Sequence, residues 1–182
     1  VLPPRIAPIQ VVIVPIPDGK MKPEDAARQK AASQDIAAQL KAAGVRVELD
    51  DRDNYNPGWK YNYWELKGVP IRAEIGPRDF ESNSVTLVRR DTGAKTSVPI
   101  DDIVGGVTAL LETIQNDMLA RASKERNSKI ATVMEWKDFV PALERKMMVL
   151  TPWKESRKGE ELVKKKSQAE GTGGAAKTLC IP

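Results

Sequence analysis

Hydrophobic and polar positions along this chain change period several times, and each change marks an element. Ile9-Gln10-Val11-Val12-Ile13-Val14 is a β-branched run closed off by Pro8 and Pro15, which predicts a buried strand. From Pro23 the period lengthens. Proline at the first helical turn, Glu24 and Asp25 beside the positive helix end, and Ile36 and Leu40 further on predict a helix that stops at Gly44. Residues 45–49 then read as a second strand, giving a right-handed β-α-β unit with parallel strands. Pro57-Gly58 marks a turn, and residues 59–67 predict a short helix ended by Gly68. In the third strand, 70–75, Ile71, Ala73 and Ile75 alternate with Arg72 and Glu74, so the charged pair points away from the core.

Residues 84–90 and 95–99 flank Asp91-Thr92-Gly93 and predict a hairpin. Asp101 or Asp102 can cap a long helix whose core stripe is Ile103, Val107, Leu110, Leu111, Ile114 and Met118. Beyond about Asn127 the pattern restarts, with a helix over 132–143, a strand over 147–150, a polar helix over 155–168 and a glycine-rich loop over 170–176. No internal repeat is evident. The expected organisation is an α/β domain over 1–128 and a small α/β extension over 129–182.

Composition narrows the chemistry. A length of 182 residues suits one domain plus an extension. The chain opens at Val1 without an initiator methionine, and it is expected to be a piece of a longer polypeptide. No apolar run approaches the ~20 residues that span a bilayer, and no signal peptide is visible, so the expectation is a soluble, intracellular protein with no membrane partner. Cys180 is the only cysteine, which excludes an internal disulfide and a cysteine zinc cage within this chain. Histidine is absent, removing Ser-His-Asp and Cys-His nucleophile arrangements and the usual neutral-pH general base. Catalysis by this chain alone is not expected. The net charge of +4 lies wholly in residues 129–182. Residues 1–128 balance eighteen basic against eighteen acidic side chains, so binding there should depend on shaped contacts more than on a broad phosphate-attracting field. Lys164, Lys165 and Lys166 read as a solvated helix face.

The richest stretch is 50–79, DDRDNYNPGWKYNYWELKGVPIRAEIGPRD. Tyr55, Trp59, Tyr61, Tyr63 and Trp64 are five of the chain's nine aromatic residues. Among them stand Arg52, Lys60, Lys67, Arg72 and Arg78, with Glu65 and Asp79 as acceptors. Rings offer faces to unstacked bases, while fixed carboxylates and guanidiniums read base edges, the means by which single-stranded RNA loops are recognised. The same composition also suits a helix–strand unit whose rings are core.

LPPRIAPIQVVIVPI, the 50–79 stretch and VRRDTGAK together closely resemble prolyl-tRNA synthetase of the eukaryotic and archaeal type. The resemblance is strong over residues 1 to about 128 and weaker beyond, with AAKTLCIP again similar. It implies the class IIa aminoacyl-tRNA synthetase anticodon-binding fold, a mixed sheet of about five strands with flanking helices. It also implies reading of the middle and third anticodon letters of tRNA(Pro), both guanine. Matched motif to motif, the base-reading role falls to Glu65 in WELKG, Arg72 in VPIR, and Arg78 with Asp79 in GPRD. Tyr61 takes a stacking role and Lys95 in TGAK is a further contact. Arg78 stands where related sequences can carry lysine, which keeps the charge and changes the geometry. The parent enzyme implied is a cytoplasmic proline-tRNA ligase using ATP and magnesium through a prolyl-adenylate, its catalytic core upstream of Val1 and dimeric, with this piece monomeric. Many members bind zinc through four cysteines in the C-terminal domain. Here the region of the first pair, TPWKESRKGEE, has none, so zinc is not expected.

Plainer roles stand beside these. Arg72 and Glu65 can form a surface ion pair worth ~0–1 kcal/mol, Tyr61 can be half-buried packing, and Trp64 is expected in the core. The Asp50-Asp51-Arg52-Asp53 cluster has the look of a metal site, yet a solvated loop that orders Arg52 fits it better. Pro3-Pro4-Arg5 reads as the linker from the catalytic core. Two rival functions remain, a module that uses this fold to dock on protein, and an enzyme with a small-molecule site near 50–53.

Overall fold

The computed structural model describes residues 1–16, 21–154 and 156–179. Cys180, the last residues of AAKTLCIP, and Glu155, where the final helix was expected to begin, lie outside them. The chain divides into two compact units, residues 1–120 and 121–182, and the division falls inside one long helix.

In the first unit the elements are β1 (Val11–Pro15), α1 (Pro23–Ala42), β2 (Val47–Leu49), α2 (Pro57–Leu66), β3 (Ile71–Ile75), α3 (Pro77–Glu81), β4 (Ser84–Arg89), β5 (Lys95–Pro99), a 3₁₀ turn (Ile100–Asp102) and the start of α4 (Ile103–Ser128). The five strands form one mixed sheet in the order β2-β1-β3-β4-β5. β1 pairs in parallel with β2 and β3, and the last two pairings are antiparallel. The β-α-β unit, the third strand and the hairpin are where the periodicity placed them.

Two local readings change. Pro57-Gly58 is the first turn of α2 and not a turn before it, because Asn56 caps the helix by accepting the Trp59 N–H at 2.8 Å and Pro57 occupies the first helical position. Asp101 and Asp102 close the 3₁₀ turn, with Asp102 directly before α4, where a cap was expected. A short helix, α3, follows β3 unannounced by any apolar period.

One sheet face is the main core. Val11, Ile13, Ile71, Ala73, Ile75, Val85, Leu87 and Val98 meet Ile36, Ala37 and Leu40 of α1 and Ile103, Val107, Leu111 and Ile114 of α4. On the other face, α2 lays Trp64 over Val12, Val14 and Val69. Because α2 covers only that part, Arg72, Glu74, Thr86, Val88, Lys95 and Ser97, which share the second face by register, form a floor beside the helix. Gly68 makes the tight exit from α2 possible. Its φ is +78°, and a Cβ there would meet Leu2 Cγ at 2.9 Å, so a side chain is excluded twice over.

The second unit holds β6 (Ile130–Thr132), α5 (Trp136–Glu144), β7 (Met148–Leu150) and α6 (Arg157–Glu170). β6 and β7 pair in parallel. The expected helix over 132–143 therefore starts later, behind a strand the sequence pattern did not reveal. Val133, Phe139, Val140 and Ala142 make a small core of their own.

Candidate nucleic-acid interface

Helix α2 sorts the aromatic-rich segment by its own geometry. Residues four apart share a flank, so Tyr61 and Glu65 line one side, Trp59 and Tyr63 the opposite side, and Lys60 and Trp64 turn inward, both buried. Asp50 locks the helix down. Its carboxylate accepts the Trp64 indole N–H at 2.7 Å and both Arg52 Nε and Nη2 at 2.7 Å, while Lys60 Nζ donates to the Asp50 carbonyl at 3.1 Å. The expected solvated loop ordering Arg52 is thus built around a fully buried carboxylate. Among the described residues no group of three or more His, Cys, Asp or Glu is arranged to hold a metal.

Arg52 in turn faces three rings, with its guanidinium carbon 5.0 Å from Tyr55, 5.3 Å from Trp59 and 5.0 Å from Tyr63. Tyr55 stacks on Trp59 at 3.8 Å between centroids, and Trp59 on Tyr63 at 5.2 Å. This pile holds the loop before α2 against the helix. Trp64 is core, as its position in the helix led one to expect.

The other flank of α2 meets the polar floor in a cleft of about 400 Å³. Arg72 lines it. Its guanidinium carbon sits 3.9 Å from the Tyr61 ring centroid, Nη1 donates to Glu65 Oε1 at 3.0 Å and Nε to Glu74 Oε1 at 2.9 Å. Glu74 Oε2 takes Lys95 Nζ at 3.3 Å, and Glu65 Oε2 is 3.7 Å from Arg90 Nε. Three cations thus surround two carboxylates. The cleft wall at the hairpin is fixed by Arg89, which grips Asp91 at 3.0 and 2.9 Å and Asp117 at 2.7 Å. Hydrogen bonding to Asp91 outweighs desolvation and holds the Arg89 pKa above its already high ordinary value. Burial, joined by the negative charges of Glu74 and Asp79, pushes the Tyr61 phenol up to about 12, so it stays protonated at neutral pH.

Of the six residues singled out from sequence, Tyr61, Glu65, Arg72 and Lys95 come together around this cleft. Asp79 adjoins it through Thr86, which faces Glu74 across the β3–β4 ladder and donates to Asp79 Oδ1 at 2.7 Å. Asp79 Oδ2 also accepts the Gly76 N–H at 3.0 Å, so both oxygens already serve the fold. Arg78 is exposed on α3. Arg72 and Glu65 are indeed ion-paired, and Tyr61 carries a guanidinium on its ring rather than a bare face. Sequence reasoning missed Glu74 and Arg90. The strand alternation had put Glu74 beside Arg72, but nothing local announced that it would be buried.

Residues 10–110 match the anticodon binding domain family model, and residues 136–182 match the model of the prolyl-tRNA synthetase C-terminal domain. The whole chain is 45% identical to part of the cytoplasmic proline–tRNA ligase of Arabidopsis thaliana and covers 33% of its length. It is 43% identical to part of the proline–tRNA ligase of Encephalitozoon cuniculi, covering 38% of that protein. The prolyl-tRNA synthetase of Cryptosporidium parvum, solved with L-proline and AMP, superposes with a TM-score of 0.88 at 43% identity over all of this chain and 38% of its own. The chain therefore spans about a third of the length of these relatives.

Proposed function

Because the chain belongs to the anticodon-binding domain family, in the form carried by prolyl-tRNA synthetases, we propose that the cleft beside α2 reads the two adjacent guanines of the tRNA(Pro) anticodon. The observation that supports this is the meeting of Tyr61, Glu65, Arg72 and Lys95 around one opening. The Watson–Crick edge of guanine presents N1–H and N2–H donors beside the O6 acceptor. A carboxylate such as Glu65 matches the donors, and Arg72 or Lys95 matches O6 or N7. The long 3.7 Å approach of Arg90 to Glu65 is the contact that the base donors replace. Tyr61 backs the Arg72 plane, so the stacking role passes to the ring and guanidinium together. Arg78 and Asp79 extend the surface along α3. Asp79 accepts further donors only through the lone pairs its two structural hydrogen bonds leave.

The longer protein to which this piece belongs is read as a cytoplasmic proline–tRNA ligase. Its catalytic core would join proline to tRNA through a prolyl-adenylate with ATP and magnesium, and would carry the dimer contact. This piece would supply tRNA identity, as a monomer when separate, with 1–128 as the anticodon-binding domain and 129–182 as the extension. A family-type zinc site does not fit the extension, which lacks the four cysteines. The test is a titration of this chain with a proline anticodon stem-loop and with the same hairpin bearing adenines for its two guanines. Preference for the guanine hairpin is expected, and equal affinities would overturn the reading.

A further inference from the structure

We propose that Glu74 is the positioning residue of this cleft, a buried carboxylate that sets the guanidinium of Arg72 and the ammonium of Lys95 toward a purine's acceptor edge. The inference rests on the reading above and adds the device that makes it selective. Glu74 is only 6% exposed, so it is poorly placed to touch a base. Its two oxygens are instead divided between two cations. Oε1 takes Arg72 Nε and lies 2.9 Å from Nη2, while Oε2 takes Lys95 Nζ. Arg72 and Lys95 start from different strands and reach the same carboxylate because Arg72 stands opposite Val88 in β4, which in turn stands opposite Lys95 in β5.

An unpaired buried carboxylate is strongly disfavoured, so Glu74 holds both cations in place before any ligand arrives. Arg72 has five N–H donors. Glu74 and Glu65 take one edge and one end of the guanidinium, the Tyr61 ring fixes its plane, and the donors left over point where an acceptor can meet them in a single orientation. Without Glu74, Arg72 keeps its charge and its pairing with Glu65 but loses its fixed angle. Attraction to phosphate survives, while discrimination by base edge does not. Preorganisation of this kind improves selectivity by reducing the ordering required on binding.

The experiment uses the 182-residue chain and two hairpin RNAs, one with guanines at the two anticodon positions and one with 2-aminopurine, which lacks O6 and N1–H and keeps the N2 amine. Glu74→Gln is expected to reduce the preference for guanine about tenfold, the effect of one lost base-edge contact, with a smaller change in affinity for the 2-aminopurine hairpin. Glu74→Gln added to Arg72→Ala should then cost less further preference than Glu74→Gln alone, since only its hold on Lys95 remains to be lost. A purely structural role would give additive losses. Lys95→Gln, which removes the charge of the exposed partner and keeps the strand polar, tests the second arm if the Glu74 variant unfolds; a partial loss of preference is expected, and an unchanged preference would overturn that arm. If the parent chain shows no preference for guanine, the reading of the cleft fails. If it does and Glu74→Gln keeps the full preference, or adds its whole loss to that of Arg72→Ala, the positioning role fails alone.

Discussion

The Asp50 carboxylate has no solvent exposure and receives three hydrogen bonds at 2.7 Å from Arg52 and Trp64. Burial by itself would raise its pKa, but the Arg52 and Trp64 hydrogen bonds together with the charges of Arg52 and Lys60 outweigh burial and hold it below the ordinary value. A folded-state pKa below the unfolded one of about 3.9 means that this stabilisation is complete above that pH and is lost as pH falls toward the lowered pKa. Denaturant titrations between about pH 5 and 2 should show the loss, and Asp50→Asn should flatten that acid limb while lowering stability at neutral pH. In the cleft, Glu65→Ala and Arg72→Ala should each weaken guanine discrimination by about 1–3 kcal/mol in hairpin titrations. Asp79→Ala should cost a similar amount of discrimination and, unlike Glu65→Ala, also lower unfolding stability by about 1–3 kcal/mol, because the Gly76 N–H and the Thr86 hydroxyl lose their acceptor.

Helix α2 is the element on which the site depends, since one flank carries Tyr61 and Glu65 and the inward side carries Trp64. Asn56→Ala should destabilise it by about 1 kcal/mol, measurable as a lower urea midpoint. Gly68→Ala should cost more, because strain at φ +78° adds to the collision with Leu2. Elements with a sustained period were legible: β1, α1, β3, the hairpin and the stripe of α4 all follow from spacing. α3, with five residues, and β6, with three, are too short to establish a period. At Pro57-Gly58 two signals compete, a turn dipeptide and a capped helix start, and the Asn56 side chain settles it for the helix. The face of Arg72 was readable from alternation. The burial of Glu74 was not, because its second partner, Lys95, comes from a strand distant in sequence.

At the scale of the molecule, charge and chemistry are separated. Residues 1–128 balance to zero and the basic excess lies beyond them, so hairpin affinity should fall only gently with salt, with a slope corresponding to about one to three phosphates. Lys164→Ala should leave guanine preference unchanged in the same titrations. No helix among the described residues is long and apolar enough to cross a membrane. The sheet itself ends on β5, which pairs with β4 on one side only and is exposed at four of its five positions. An open strand of this kind can recruit the strands of other copies and seed fibrils. Its flanking residues discourage that: Lys95 at its start would bring like charges together in any in-register stack, and Pro99 at its end offers no N–H to a newcomer. The lysine that faces the cleft is thus also a guard against self-assembly, and replacing it with an apolar residue would endanger solubility along with recognition.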